Sequence, residues 1–549
     1  MKSIACHTLG CKVNQYDTQA MLESFERAGY WPVDWNDDAG ADIYLINTCT
    51  VTGTGDQKSL KLIRRTHRQH PQSQIIVAGC LAQRDYVRVR LPGVRLIIGV
   101  KQRARVVELF QRAMEADEVV CAVEEGGAWS FENLSVARHE GKTRATMKIQ
   151  EGCDRYCAYC VIPYVRGPIR SMPLELIRDE AKRLCASGYR EIVVTGIHLA
   201  SYGRECGMEL MDALHVIDDV EGLDRMRLGS LEPTVVTDAF VEALMALKTL
   251  CTQFHLSMQS GSAGVLSRMR RRYTPDEYLS AAHRLRKAFP DCAITTDVLT
   301  GFPGETDHEA IETEEFIKKV GFARIHVFPY SRRSGTAADL MSDQVREEVK
   351  QCRAGRLIEI GNQLENEFVQ KTIGTTRSVL FETGVGGGLS EGYTPEYVRV
   401  RAKAKPGQLC DVEIQGMSDT AGIVRGTTRG GVGNPMENCL FCKIASGEIG
   451  STKVYEDDLC MAFLDINPQA KAHMLVIPKA HYANVHVCAM NDVDLLGKLF
   501  ARAAQIAEDN GMDKTGFRLV TNCGKDAQQS VDHFHIHILG GQPLSGQMG

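Results

Sequence analysis

Cys153, Cys157 and Cys160 stand within one short stretch, Cys153-Asp154-Arg155-Tyr156-Cys157-Ala158-Tyr159-Cys160, and no other feature restricts this chain so strongly. Three thiolates on one loop can hold three irons of a [4Fe–4S] cluster. They leave the fourth iron without a protein ligand, open to chelate a small molecule. A zinc site would more often show two paired C-x2-C arms. Packed structural thiols are the remaining alternative.

The sequence around the triplet alternates strand and helix patterns from residue 143 to about 328, with candidate strands at 191–195, 225–229, 252–257, 293–298 and 324–328. Five or six βα units predict a full or partial barrel, whose sites gather at the strand C-termini, and the triplet follows the first of these strands. A charged helix at 342–370 comes next. Residues 1–115 repeat the rhythm on a smaller scale, with strands at 42–47 and 74–78 and helices near 18–28 and 57–67, which predicts a parallel α/β domain. Residues 116–142 read as a polar connector. Residues 373–428 are Gly-rich with alternating runs such as Tyr397-Val398-Arg399-Val400-Arg401, and predict a small β-barrel. Thr427 through Pro435 reads as a linker. Met436 looks like the natural start of an independent protein, which points to a gene fusion or a read-through. The fold class is thus α/β multidomain, divided at 1–115, 139–370, 371–430 and 437–549. The length of 549 residues, too great for one core, agrees with that division.

Nineteen cysteines need an explanation other than disulfides if the compartment is reducing. The start, Met1-Lys2-Ser3-Ile4-Ala5-Cys6, lacks the apolar core of a signal peptide, and no apolar run is long enough to span a membrane, so the expected compartment is the cytoplasm. Eight cysteines fall in patterns. The other eleven (Cys6, Cys121, Cys185, Cys206, Cys251, Cys292, Cys352, Cys410, Cys460, Cys488 and Cys523) read as small apolar residues. A net charge of −5 means that any nucleic-acid surface is a local patch. Arg270-Arg271-Arg272 and the run from Lys61 to Arg68 are candidate phosphate contacts, although basic helix faces are more often merely solvated.

Cys11, Cys49 and Cys80 each follow a predicted strand. Loops beyond the C-termini of an open parallel sheet converge on one crevice, so these thiols either meet there around a second cluster or are unrelated loop cysteines. Near the C-terminus, His533-Phe534-His535-Ile536-His537 alternates histidine with apolar residues, which on a strand turns all three imidazoles to one side. Cys439-Leu440-Phe441-Cys442 is half of a zinc site, or a metal-free pair of packed thiols.

The triplet loop resembles the signature of the radical S-adenosylmethionine superfamily. The resemblance implies S-adenosylmethionine on the open iron, Tyr159 near its adenine and Thr195-Gly196 at its amino group. It also implies Glu232 at its ribose, and Asp297 with Gly301 on a further cofactor-side loop. Residues 1–428 as a whole resemble the methylthiotransferase family. The matching pieces are Gly10-Cys11-Lys12-Val13-Asn14, Asn47-Thr48-Cys49, Gly79-Cys80, the triplet, His255-Leu256-Ser257-Met258-Gln259-Ser260-Gly261, Gly301-Phe302-Pro303-Gly304-Glu305-Thr306 and the final β-barrel, which resembles a TRAM domain. That family implies an auxiliary [4Fe–4S] cluster on Cys11, Cys49 and Cys80 that takes part in sulfur delivery, two uses of S-adenosylmethionine, and a reductase or flavodoxin as electron donor. Its branches act on isopentenyladenosine or threonylcarbamoyladenosine in tRNA, or on a ribosomal-protein aspartate. Val194-Thr195-Gly196-Ile197-His198, the stretch from Ser267 to Thr274 and that from Glu391 to Val400 are most similar to the threonylcarbamoyladenosine branch, whose site is position 37 of the anticodon stem-loop.

Residues 437 to about 541 resemble the histidine-triad (HIT) family, an α+β domain, also through Phe463-Leu464-Asp465-Ile466 and the stretch from His473 to His481. The resemblance implies His535 as the nucleophile on an α-phosphorus of a nucleoside phosphoramidate or similar conjugate, with His537 and Ser530 in the catalytic set. Asn522 falls on the phosphate side, and Asp465 and His473 on the nucleotide side. It also implies zinc on Cys439, Cys442, His481 and His533, and a homodimer through this domain. Asp532 departs from the aromatic residue common there. Two readings of other classes compete: a two-cluster electron carrier, and a hydrolase whose first 428 residues are an RNA-binding scaffold.

Overall fold

Two near-continuous apolar runs, Ile43–Thr48 and Gln74–Gly79, are buried along almost their whole length and form the middle of a parallel sheet. In the computed structural model the described residues are 2–36, 40–51, 53–124, 126, 129–134, 136, 143–418, 420, 422–428, 439–524 and 527–545. Parts of the expected connector, most of the expected linker and Met436 lie outside them. The chain divides into two units, Met1–Thr428 and Arg429–Gly549. No described helix is long and apolar enough to cross a membrane.

The first unit opens with β1 (Ser3–Thr8), β2 (Trp31–Pro32), β3 (Ile43–Thr48), β4 (Gln74–Gly79), β5 (Val94–Ile98) and β6 (Val120–Ala122), all parallel in the order β2-β1-β3-β4-β5-β6. Side chains alternate between the two faces. Leu45, Ile76 and Leu96 meet Met21 and Phe25 of helix α1 (Lys12–Arg27), while Ile46, Ile75 and Val77 meet Leu60 and Ile63 of helix α2 (Gly53–Gln69). The sequence predicts the first helix only from residue 18. Its opening turns look non-amphipathic because Asn14, Tyr16 and Asp17 are buried as well, against the next domain.

That domain is a partial barrel of six parallel strands: β7 (Arg144–Glu151), β9 (Glu191–Gly196), β10 (Arg225–Leu228), β11 (Gln253–His255), β12 (Ala293–Thr300) and β13 (Arg324–Pro329). A short antiparallel strand, β8 (Arg170–Ser171), edges β7. Bridges Met226 to Leu250 and Leu231 to Leu256 join the β10 and β11 sides. Met147, Ile149, Ile192, Val194, Met226, Phe254 and Ile294 pack outward on the helices. The alternate residues therefore face inward. They include Arg144, Thr146, Lys148, Glu191, Arg225, Arg227, Gln253, His255, Thr295, Asp297, Arg324 and His326, with Val193 among the apolar exceptions. A barrel core is ordinarily filled by branched apolar side chains; here polar and charged side chains, most of them buried, occupy much of it. A helix, Glu347–Gln370, packs on β13 and leads to a closed barrel of β14 (Thr376–Gly386), β15 (Leu389–Tyr393), β16 (Arg399–Lys403), β17 (Leu409–Met417) and β18 (Ile423–Thr428). This small barrel abuts the N-terminal ends of the larger barrel's strands. Arg225 donates to the carbonyls of Tyr393 and Ser378, Arg227 to those of Thr394 and Pro395, and Arg144 pairs with Glu382.

Asp17 of α1 and Glu151 at the end of β7 are both buried, and between them sit Arg103, Lys148, Arg166 and Arg170. Beside this network the Tyr16 hydroxyl lies against the Leu134 carbonyl and 2.8 Å from Glu180 Oε1. Burial pushes the Glu180 carboxyl up to about 8 even though the Tyr16 hydroxyl donates to it.

The second unit is an antiparallel sheet of β19 (Lys453–Glu456), β20 (Cys460–Leu464), β21 (Ala472–Pro478), β22 (Phe517–Val520) and β23 (Ile536–Gly540), ordered β19-β20-β21-β23-β22. Leu499, Ala503 and Ile506 of the helix Val493–Asp509 cover one face at Ala462, Val476 and Ile538. Phe441 and Ile444 cover the other at Phe463, Leu475 and Ile477.

Two predictions test the domain junction. Asp17→Ala leaves buried cations uncompensated and is expected to cost about 3–5 kcal/mol, read by chemical denaturation of the full chain. Glu180 holds its proton in the folded chain to about pH 8 but in the unfolded chain only to about 4.5. Wild-type stability relative to Glu180→Gln should therefore fall as pH rises through that window, at a slope of about 1.4 kcal/mol per pH unit.

Candidate functional site

Gly152, with φ +77°, turns the chain out of β7 into the cysteine loop, and a Cβ there would sit 1.7 Å from the Pro168 carbonyl oxygen. Three backbone bonds then fix the loop: Cys153 N–H to the Gly167 carbonyl, Ala158 N–H to that of Met269, and Cys160 N–H to that of Cys157. Burial pushes the Cys153 thiol up to about 11 and that of Cys160 up to about 12, so metal ligation there would release protons. Arg271 donates to Cys157 Sγ at 3.3 Å and lies 3.6 Å from Glu232. The sequence offers Arg271 as a phosphate contact. The structure corrects this, since Arg271 is committed to the cysteine loop, and only Arg270 and Arg272 are exposed.

The residues expected around S-adenosylmethionine fall on one end of the barrel. Glu232 is held ionised: it is buried, yet it accepts from His198 and faces Arg271 and Arg155, which bring its carboxyl down to about 2. Tyr159 lies edge-on to Phe302. Thr195 and Gly196 end β9 beside Gln150, and Asp297 sits 3.5 Å from His255. Gly301 differs from the rest. Its N–H is taken by the Glu305 carboxylate, itself bound by Arg353, so it acts as a braced turn.

Cys11, Cys49 and Cys80 stand at the ends of β1, β3 and β4, at the edge facing the barrel domain. A Cβ on Gly10 would lie 2.7 Å from Cys49 Sγ, which shows how closely the first two loops approach. Cys80 is buried, its thiol is pushed up to about 11, and Arg166 donates to its sulfur at 3.3 Å. Among the described residues, neither cysteine trio brings its three sulfurs within 4.8 Å of one another. Sequence reasoning missed both arginines that reach sulfur. The alternation of polar and apolar residues in β7 and β10 was the available signal for the polar barrel interior.

Among the eleven cysteines outside the patterns, Cys251, Cys292, Cys410, Cys460 and Cys488 are buried. Cys121, Cys206, Cys352 and Cys523 are exposed, against the apolar reading.

In the second unit Cys439, Cys442, His481 and His533 bring their donor atoms within one ion's reach. His533 Nδ1 is 3.4 and 3.3 Å from the two sulfurs, and His481 Nδ1 is 3.2 Å from Cys442 Sγ. His533 Nε2 lies 3.0 Å from the Pro478 carbonyl, which makes Nε2 the protonated nitrogen and leaves Nδ1 free to ligate. His535 Nδ1 likewise donates to the His533 carbonyl at 2.6 Å, and its buried Nε2 has no partner. His537 Nδ1 meets His473 Nε2 at 2.9 Å, with Asp465 3.4 Å from His473. The three histidines do not lie on one strand as expected. β23 begins at Ile536, because these backbone bonds and that from Phe534 N–H to the Tyr482 carbonyl hold the chain irregular before it. Asn522 is half-buried, and Ser530 and Asp532 are exposed.

Family models agree with this division. One described as Radical SAM superfamily matches residues 147–317, one described as Uncharacterized protein family UPF0004 matches 3–99, and one described as HIT domain matches 446–544. The chain is 40% identical over 425 residues to the Threonylcarbamoyladenosine tRNA methylthiotransferase MtaB of Bacillus subtilis (strain 168), covering 75% of this chain and 94% of that relative. The protein of the same name from Thermotoga maritima is 36% identical, over 76% of this chain and 96% of the relative. A tRNA-2-methylthio-N(6)-dimethylallyladenosine synthase of Pelotomaculum thermopropionicum is 34% identical, over 70% and 87%. Among solved structures, a histidine triad protein from Clostridium difficile is 47% identical, covers 20% of this chain and 96% of its own, and has a TM-score of 0.20. The radical S-adenosylmethionine methyltransferase TsrM from Kitasatospora setae is 15% identical, covers 70% and 79%, and has a TM-score of 0.47. Membership of the radical SAM superfamily implies S-adenosylmethionine and [4Fe–4S] clusters as cofactors. The chain belongs to the radical SAM tRNA methylthiotransferases and carries a HIT domain at its C-terminus.

Proposed function

We propose that this enzyme acts in the cytoplasm on N6-threonylcarbamoyladenosine at position 37 of tRNA and places a methylthio group on C2 of the base. The identity of 40% across nearly the whole Bacillus subtilis relative carries the reading. In it, Cys153, Cys157 and Cys160 hold one [4Fe–4S] cluster and Cys11, Cys49 and Cys80 the other. Together with S-adenosylmethionine these groups supply the radical, methyl and sulfur chemistry that side chains cannot. The chain's own residues hold and orient. Arg271 and Arg166 brace a sulfur at each site. Tyr159, Thr195, Gly196, Glu232 and Asp297 frame S-adenosylmethionine, and the small barrel, read as a TRAM domain, helps seat the anticodon stem-loop. A reductase or flavodoxin supplies electrons.

In the HIT domain, read as a dimerising module, His535 Nε2 attacks the α-phosphorus of a nucleoside phosphoramidate and the amine departs. Water then releases the nucleotide from His535. His537, Ser530 and Asn522 flank the phosphate, and Asp465 and His473 the nucleoside. Zinc on Cys439, Cys442, His481 and His533 would lock the irregular segment that carries His535 ahead of β23.

The test of substrate is mass spectrometry of tRNA nucleosides from a bacterial host that lacks its own threonylcarbamoyladenosine methylthiotransferase. The 2-methylthio product should appear with this chain and vanish with Cys153→Ala or Cys49→Ala; a 2-methylthio product on isopentenyladenosine instead would reject the substrate. For the second domain, Cys442→Ser should lose about one zinc per chain by elemental analysis. His535→Asn should abolish phosphoramidate hydrolysis while tRNA methylthiolation persists.

A further inference from the structure

The exposed face of α2 carries positive charge and no negative charge. Lys58, Lys61, Arg65 and Arg68 follow one another at intervals of three, four and three residues, which sets them in one row along the helix, and Arg64 flanks the row. All five are exposed, on the side opposite the buried Ser59, Leu60, Ile63 and Thr66. None has an ion pair among the described residues. Arg65 Nε donates to Gln69 Oε1 at 3.0 Å, a neutral acceptor that leaves the charge unanswered. The one acid of the helix, Asp56, is no counterion for the row. It is buried and already meets Arg333 at 3.1 Å, Arg84 at 3.5 Å and Arg88 at 4.0 Å.

Like charges three and four residues apart on a helix repel one another, and a chain of net charge −5 does not produce such a row by composition alone. The helix Asp307–Val320 shows the usual mixture, with Lys318 and Lys319 exposed beside Asp307 and Glu315. From Lys58 to Arg68 the row is about 15 Å long at the helical rise. A chain of phosphates spans that length; a single small anion does not. An acidic protein partner needs an apolar centre to its contact as well, whereas the exposed residues from Gln57 to Gln69 are Lys, Arg and Gln alone. The position of the helix agrees. α2 follows β3 and precedes the parallel β4, so it starts at the strand end where Cys49 lies and leads back along the sheet, away from the cysteines.

We propose that the row from Lys58 to Arg68 docks the phosphate backbone of the tRNA substrate at a distance from the base that is modified. This rests on the tRNA part of the reading above and is independent of which base is modified.

The experiment measures tRNA affinity across a series of salt concentrations, with KM and kcat for methylthiolation, on the reconstituted full chain. Wild type is compared with Lys61→Gln/Arg68→Gln, with the charge-keeping Lys61→Arg/Arg68→Lys, and with Lys318→Gln/Lys319→Gln, which changes net charge equally on another face. The first variant should reduce the slope of log affinity against log salt by about 1.5–2. It should also raise KM on the order of tenfold at low salt, with kcat, iron content and RNA-free cleavage of S-adenosylmethionine kept. The other two variants should keep the wild-type slope. In wild type, bound tRNA should shield Lys58 and Lys61 from acetylation and leave Lys318 and Lys319 reactive, a measurement that stands even where a variant fails to fold. An unchanged slope, an equal loss in the Lys318/Lys319 variant, or full acetylation of Lys58 and Lys61 in the complex overturns the inference. So does a first variant that binds tRNA normally but accepts electrons slowly from a flavodoxin, which would assign the face to an acidic protein. A wild type that binds no tRNA at any salt concentration would overturn the tRNA reading together with it.

Discussion

The junction between the first two domains rests on a fully buried ionic network. Asp17 comes from α1, Glu151 and Lys148 from β7, Arg166 from just beyond the cysteine loop, and Arg103 from the N-terminal domain. Desolvating so many charges costs several kcal/mol per ion, so such a network is poor at adding net stability and good at refusing alternative arrangements. Here the refusal has a chemical use. Arg166 binds Asp17, Glu151, the Asn14 side chain and Cys80 Sγ at once. A shift of one domain on the other would break several charge-assisted bonds together, so the two cysteine sites keep a fixed relation.

The same logic shapes the barrel. Filling its interior with apolar side chains would stabilise it more simply. Instead β7 reads Arg-Ala-Thr-Met-Lys-Ile, with the apolar members on the helices and the polar ones inward. The small barrel abuts the bottom layer and satisfies it, with backbone carbonyls of residues 393–395 accepting from Arg225 and Arg227.

Much of this was legible in the sequence, for identifiable reasons. Strand and helix periods located the parallel sheet, the barrel strands and the small barrel, because one face of each element meets an apolar core. The start of α1 was illegible because Asn14 and Asp17 are buried by polar partners, which no hydrophobic period reports. Arg271 misled for the converse reason. In a run of three arginines, composition cannot tell the one that turns inward to Cys157 from the two that stay in water. Gly301 was legible as a turn, but the carboxylate that takes its N–H lies four residues on and is fixed only by Arg353 from a later helix.

The donor groups in both units share a physical problem, since a thiol or imidazole must present one lone pair in one direction. The solutions use partners outside the donor set. Arg166 and Arg271 each reach one sulfur, and the Pro478 carbonyl takes the far nitrogen of His533. The His533 carbonyl then does for His535 what Pro478 does for His533. Two successive backbone acceptors thus set opposite nitrogens free: Nδ1 of His533 toward the cysteines and Nε2 of His535 for reaction. That relay explains why the histidine segment is irregular ahead of β23. A regular strand would spend the His533 carbonyl on the sheet ladder, and the reactive imidazole would lose the bond that fixes its tautomer.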